Sequence, residues 1–192
     1  MGRSPSLQAD RVNLSVSVAR ESVEAPVEFR ALFDHEAAYV VRSLRRLGVH
    51  ERDCEDVAHE VFVKVHAKLP FYDRSRPLRP WLFAFCVRLA SDYRKLARHR
   101  EHLDIESTAI ANRTPEHDLI ERQQRELVLL GLRALDTDKC AVFTLHELDE
   151  VSIPEIARAL EIAEGTAYSR LRAARQEFTA AVRREQARRS TP

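Results

Sequence analysis

Between residues 163 and 175 the chain reads AEGTAYSRLRAAR. Gly165, Thr166, Tyr168, Ser169, Arg170 and Arg172 bring hydroxyls, guanidinium groups and one bare backbone position together at helical spacing. A guanidinium bonds two acceptors of a guanine edge or a phosphate at once, and a hydroxyl donates or accepts as the partner requires. At about 100° per residue, Ala167, Leu171, Ala174 and Phe178 share one apolar face. Gly165, Ser169, Arg172 and Gln176 point the other way, with Thr166, Tyr168 and Arg170 on the shoulders. Upstream, VSIPEIARAL carries Ser152 three residues before Glu155, a capping box, with Pro154 in the first turn. Ile156, Ala157 and Leu160 form its inner face. Two short helices joined by a tight turn, the second with groove-reading chemistry on its free side, make a helix-turn-helix for a DNA major groove. The same pattern also describes an ordinary surface helix in a bundle.

A second chemistry lies at residues 68–100. Nine Lys and Arg there stand against Asp73 and Asp92, a net charge of +7, interleaved with Phe71, Tyr72, Trp81, Phe83, Phe85 and Tyr93. Cations that neutralise phosphates beside rings that accept a stacked base suit single-stranded nucleic acid. Core packing accounts for Trp81 and Phe85 at least as well. Residues 101–126 are acidic, at net −4.

Other chemistries fail on spacing. His35-Glu36, His59-Glu60 and His146-Glu147 each begin a zinc-protease motif, but the closing histidine position holds Tyr39, Val63 or Glu150. There is no phosphate-binding glycine loop and no nucleophile elbow, so neither an enzyme, a metal site nor a cofactor is expected. Cys54, Cys86 and Cys140 lie far apart without a CxxC, which fits a reducing compartment. With no apolar run of membrane-span length and no signal-peptide core, a cytoplasmic protein without membrane insertion is expected.

These groups need helices to hold them. The chain has 192 residues, 44% of them apolar and 4 glycines, and i, i+3, i+4 apolar spacing recurs where period-2 alternation is almost absent. The expectation is all-α, as two small helical domains joined by a flexible linker. Residues 1–26 form a flexible extension. A helix from Val27, carrying Phe29, Leu32, Val40 and Leu44, stops at Gly48 after a basic last turn. The next runs from about Asp53 to Lys68, burying Val57, Val61 and Val65. Prolines in PFYDRSRPLRP precede a helix from Trp81 to Arg100. Residues 101–115 are the linker, 116–186 the second domain with Asp136 or Thr137 capping one helix, and 187–192 a basic tail.

Four blocks in order, FRALFDHEAAYVVRSLRRLG, DCEDVAHEVFVKVH, LRPWLFAFCVRLASDYRK and LDTDKCAVFTLHELDEVSIPEIARALEIAEGTAYSRLRAAR, resemble bacterial sigma factors of the extracytoplasmic-function (ECF) group over residues 27–184. The resemblance implies a region 2 domain at 27–100, which docks on core RNA polymerase and melts the −10 element. It implies a region 4 domain that reads the −35 element. It assigns polymerase docking to Asp53, Glu55, Asp56, His59, Glu60 and Lys64. The −10 contacts and melting fall to Phe71, Tyr72, Arg74, Arg76, Arg79, Arg88, Arg94 and Lys95, and −35 contacts to Gly165, Thr166, Tyr168, Ser169, Arg170 and Arg172. Core polymerase and promoter DNA are the implied partners, and an anti-sigma factor is frequent in the group. The chain departs from the usual pattern at Ala84, Val87 and Arg88, where Arg, Arg and Asn are common. It departs again at Asp136 for proline, Ala163 for a capping serine and Tyr168 for a basic residue. A helix-turn-helix regulator acting without polymerase is the rival reading, disfavoured by the basic-aromatic block.

Overall fold

The computed structural model describes residues 27–101 and 116–190, and among them every regular element is a helix. The expected 1–26 extension and nearly all of the expected linker lie outside the described residues. In chain order the helices are α1 (Val27–Arg46), α2 (Cys54–Lys68), α3 (Leu78–Glu101), α4 (Glu116–Arg133), α5 (Thr137–Phe143), α6 (Ile153–Leu160) and α7 (Glu164–Arg189). Helix α7 runs unbroken through Arg189, so residues 187–189 continue a helix.

Helices α1, α2 and α3 pack on one another, and α4, α5 and α6 gather round α7. The ends follow local chemistry. After α1, Gly48 takes φ +91, Gly48 N donates to Arg45 O (3.1 Å) and Val49 N to Leu44 O (3.0 Å). That pair of bonds is a Schellman closure, for which glycine is the favoured residue. Asp136 caps α5, its side chain accepting from Lys139 N at 2.8 Å. Partial burial would raise the Asp136 carboxyl, but hydrogen bonds from the Lys139 backbone and side chain outweigh it and hold the group below its ordinary value. Ser152 and Glu155 form the capping box before α6, with Glu155 Oε2 accepting from Ser152 Oγ at 2.7 Å. Ala163 precedes α7 with no side-chain cap.

The two groups of helices are also packed against each other. Helices α5 and α6 lie on α3, α4 lies on α1, and buried apolar side chains from Tyr39 to Ala174 form one continuous cluster. Phe83, Leu44, Leu82 and Val61 fill the first half, and Leu132, Leu145, Ile156 and Val142 the second. In the second half, Gly131 lets α4 approach α7, because a Cβ there would come within 2.4 Å of the Phe178 ring. That ring is stacked on Phe143 at 4.7 Å and has little room to retreat. Gly131→Ala therefore costs about 1–3 kcal/mol in urea denaturation, and Phe178→Leu in that background recovers part of the loss.

Candidate polymerase and nucleic-acid interfaces

Helix α2 turns Cys54, Ala58, Val61, Phe62 and Val65 inward. Its other side exposes Glu55, Asp56, His59, Glu60 and Lys64 in one stripe. Asp53 stands apart from them: half-buried just before the helix, it accepts from Tyr93 Oη at 2.6 Å and ties α2 to α3. Burial first, then this bond to Asp53, pushes the Tyr93 hydroxyl up to about 12, so it stays a donor. Val63, 58% exposed, sits between Glu60 and Lys64 and adds an apolar contact to the stripe. It was readable in the sequence as the one valine of VFVKV out of phase with the buried set.

The turn before α3 gathers the melting candidates. A 3₁₀ turn at Leu69–Phe71 sends Phe71 into solvent at 82% exposure. Tyr72 leans on Trp81 with ring centroids 4.6 Å apart, and Trp81 meets Phe85 edge-on at 4.9 Å, which anchors the turn to the core. Tyr72 Oη donates to Arg76 O. Asp73 accepts from Ser75 N (3.0 Å) and Ser75 Oγ (2.7 Å) and pairs with Arg76 at 3.1 Å. The Ser75 bonds come first among the causes that hold its carboxyl below the ordinary range. Arg74 is exposed on the same turn. Phe71, Tyr72, Arg74 and Arg76 thus form one shelf: a free ring, a braced ring and two cations.

The remaining four candidates do not join that shelf. Arg79 turns back to α1, pairing with Glu36 at 3.1 Å and lying 5.1 Å over the Tyr39 ring. Arg88, nine positions on and so on roughly the opposite side of α3, pairs with Glu161 at 3.1 Å. Arg94 donates to Leu135 O at 3.1 Å and packs beside Gly48. Lys95 pairs with Asp92 at 3.4 Å in solvent.

The helix-turn-helix follows the expected phase. Ala167, Leu171 and Ala174 are buried, whereas Gly165, Ser169, Arg172 and Gln176 are exposed. Tyr168 projects at 59% exposure. Thr166 and Arg170 are half-buried shoulders, and Arg170 is already engaged by Asp138 at 2.6 Å. Ser169 Oγ donates back to Thr166 O at 2.9 Å, which leaves its lone pairs outward. The turn closes at Glu161 in the left-handed region, φ 56 and ψ 45, where glycine is the common choice.

A further set of residues joins the two halves. Tyr39 Oη donates to Asp149 Oδ2 and Arg46 Nη1 to Asp149 Oδ1, each at 2.9 Å. Burial, then the Asp149 carboxylate, holds the Tyr39 hydroxyl well above its usual range. Cys140 Sγ reaches Arg46 O at 3.2 Å, and burial pushes that thiol up to about 11, away from reactivity. A buried tyrosine in the aliphatic run AAYVV signals a need for a hydroxyl partner, but sequence alone does not say where the partner lies. Among the described residues no cluster of His, Cys, Asp and Glu is arranged for a metal, and no helix is long and apolar enough to cross a membrane.

Comparison with known proteins matches residues 32–100 to the family "Sigma-70 region 2" and residues 125–178 to "Sigma-70, region 4". The ECF RNA polymerase sigma factor SigL of Mycobacterium tuberculosis is 32% identical over 163 residues, 80% of this chain and 90% of that protein. The RNA polymerase sigma factor CnrH of Cupriavidus metallidurans is 28% identical, covering 90% of this chain and 93% of the relative. In its solved complex with the cytosolic domain of CnrY, CnrH aligns with a TM-score of 0.57 at 25% identity, over 79% of this chain and 85% of that one. The sigma factor RpoE of Bartonella quintana, in complex with the anti-sigma factor NepR, shares the fold at a TM-score of 0.59 and 21% identity, over 81% of this chain and 97% of that one. The docking stripe, the shelf and the helix-turn-helix thus fall inside the two matched regions, and the chain belongs to the ECF group of the sigma-70 family.

Proposed function

We propose that residues 27–100 bind core RNA polymerase through Glu55, Asp56, His59, Glu60, Val63 and Lys64 and open the −10 element on the Phe71–Arg76 shelf. Residues 116–186 read the −35 element with the free face of α7, and the protein works in the cytoplasm, where polymerase is. The carrying observation is the shelf: a ring held in water at 82% exposure beside cations on a braced turn. A ring left in water on a braced turn is available to stack, and a base pulled from a duplex needs such a platform. Asp53 supports the docking stripe by fixing α2 on α3 and is not among its contacts. Arg79 positions α1 against α3. The complexes of CnrH with CnrY and of RpoE with NepR support an anti-sigma protein as a further partner.

Run-off transcription with purified core polymerase tests the reading directly, and absence of any defined start would overturn it. Asp56→Arg or Glu60→Arg is expected to weaken co-purification with core enzyme tenfold or more while circular dichroism keeps its helical signal; normal co-purification removes the docking assignment.

Phe71→Ala is expected to lower open-complex formation on duplex promoters, by about 1–3 kcal/mol of lost stacking. A template already unpaired at the −10 element should restore much of the loss, and a variant equally defective on both templates would place Phe71 elsewhere.

Arg172 faces outward, whereas Arg170 is held by Asp138. Arg172→Ala therefore costs about 1–3 kcal/mol in −35 binding and relaxes base preference at one position. Arg170→Ala costs less, and the reverse ranking in a gel-shift series over single base changes would contradict the assigned face.

A further inference from the structure

The two domains that carry the reading surfaces are in contact in this structure. Arg88 of α3 touches Glu161 in the helix-turn-helix turn at 3.1 Å. Elements named −10 and −35 lie 25 base pairs apart by definition, about 85 Å of straight duplex at 3.4 Å per step. A molecule in which these two domains are packed together cannot occupy both. The described form is thus one that has to open before it reads a promoter.

What holds it shut is specific. Asp149 is 13% exposed at its side chain and takes both of its bonds from α1, from a Tyr39 that is 4% exposed and from Arg46. The backbone is bent to bring it there. The helix after α5 widens into a π turn at Thr144–Leu148, and Glu150 follows with φ 56. Among the described residues only Glu150 and Glu161 are non-glycine positions in the left-handed region, and both lie at this seam. Strain of this kind persists where the surroundings enforce it, and it gathers at sites of function. Between the two acids, Ala84 and Val87 on α3 line a small recess with Ala141, Ala159 and Leu160 opposite, and Arg88, Asp138 and Arg170 also line it. Short side chains there let α5 and α6 lie directly on α3.

We propose that Asp149, clasped by Tyr39 and Arg46, is an autoinhibitory latch that keeps region 4 folded onto region 2 in the free chain, so that core polymerase has to break it before the promoter is read. This rests on the sigma-factor reading. Binding to DNA is then reduced by the fraction of molecules that are open. The latch needs no second protein, since every group in it belongs to this chain.

The test uses the full chain without polymerase. The radius of gyration by small-angle X-ray scattering and the Kd for a short −35 duplex are measured for wild type, Asp149→Ala, Tyr39→Phe and Ala84→Glu. Tyr39→Phe removes a bond at constant charge. Ala84→Glu places a long acid on the buried face of α3 at the seam and adds nothing that attracts DNA, so a gain in binding cannot come from added charge. Each variant is expected to expand, and Asp149→Ala to bind the duplex on the order of tenfold more tightly. Arg46→Glu combined with Asp149→Arg should return the compact form. The latch is overturned if all three single variants keep wild-type size and wild-type Kd while wild type gives normal run-off transcription with core enzyme. Failure of wild type itself in run-off would instead sink the sigma-factor reading, so the two failures are told apart.

Discussion

Helix α3 is buried on both sides, and the structure depends on that. One side of it, through Leu82, Phe83 and Cys86, closes the core with α1 and α2. The other side presents Ala84, Val87 and Arg88 to α5 and α6. A helix facing a single core needs one apolar stripe, but a helix between two layers must be apolar over more of its circumference. This explains why FAFCV runs apolar without a break, and why Arg88 is the one cation of α3 between Arg79 and Arg94. The Phe71–Arg76 shelf inherits its position from the same helix, because Tyr72 is braced on Trp81 and Trp81 on Phe85.

The polar contacts across the seam are of unequal weight. Arg88 and Glu161 are 61% and 76% exposed at their side chains, and a pair so solvated adds little. The Asp149 carboxylate is mostly out of water and is bonded on both oxygens, so losing a partner would leave a buried charge under-satisfied. The seam's specificity therefore resides in Asp149, while the apolar cluster shared by the two halves supplies attraction without direction.

Much of this architecture was legible in the sequence, because it is set by local rules. The stop of α1 at Gly48, the Asp136 cap, the Ser152–Glu155 box and the buried phase of α7 each depend on residues within a few positions. The exposed stripe of α2 and the shelf were legible as surfaces for the same reason, each lying on one helix face or one turn. What was not legible joins residues far apart. Asp53 reads as part of an acidic docking stripe, yet it is committed to Tyr93, 40 residues away. Arg79, Arg88 and Arg94 read as one basic block, but their azimuths on α3 send them to α1, to the end of α6 and to the turn between α4 and α5. Tyr39 and Asp149 are 110 residues apart, and no periodicity connects them.

The same seam contains a reason for its own weakness. Arg94 crosses to Leu135 O with one guanidinium nitrogen, while its Nη1 is buried without a hydrogen-bond partner. A buried donor left unsatisfied costs about 1–3 kcal/mol relative to water, and parting the halves would hydrate it. The two bonds to Asp149 act in the opposite direction with a similar size, since hydrogen bonds to charged groups contribute about 1.5–3 kcal/mol. Closure is thus a balance of comparable polar terms added to the apolar contact between the halves. A partner that grips the α2 stripe, which closure leaves exposed, shifts this balance only through further contacts that favour the open form. Differential affinity for the open form is sufficient to shift a balance so nearly even.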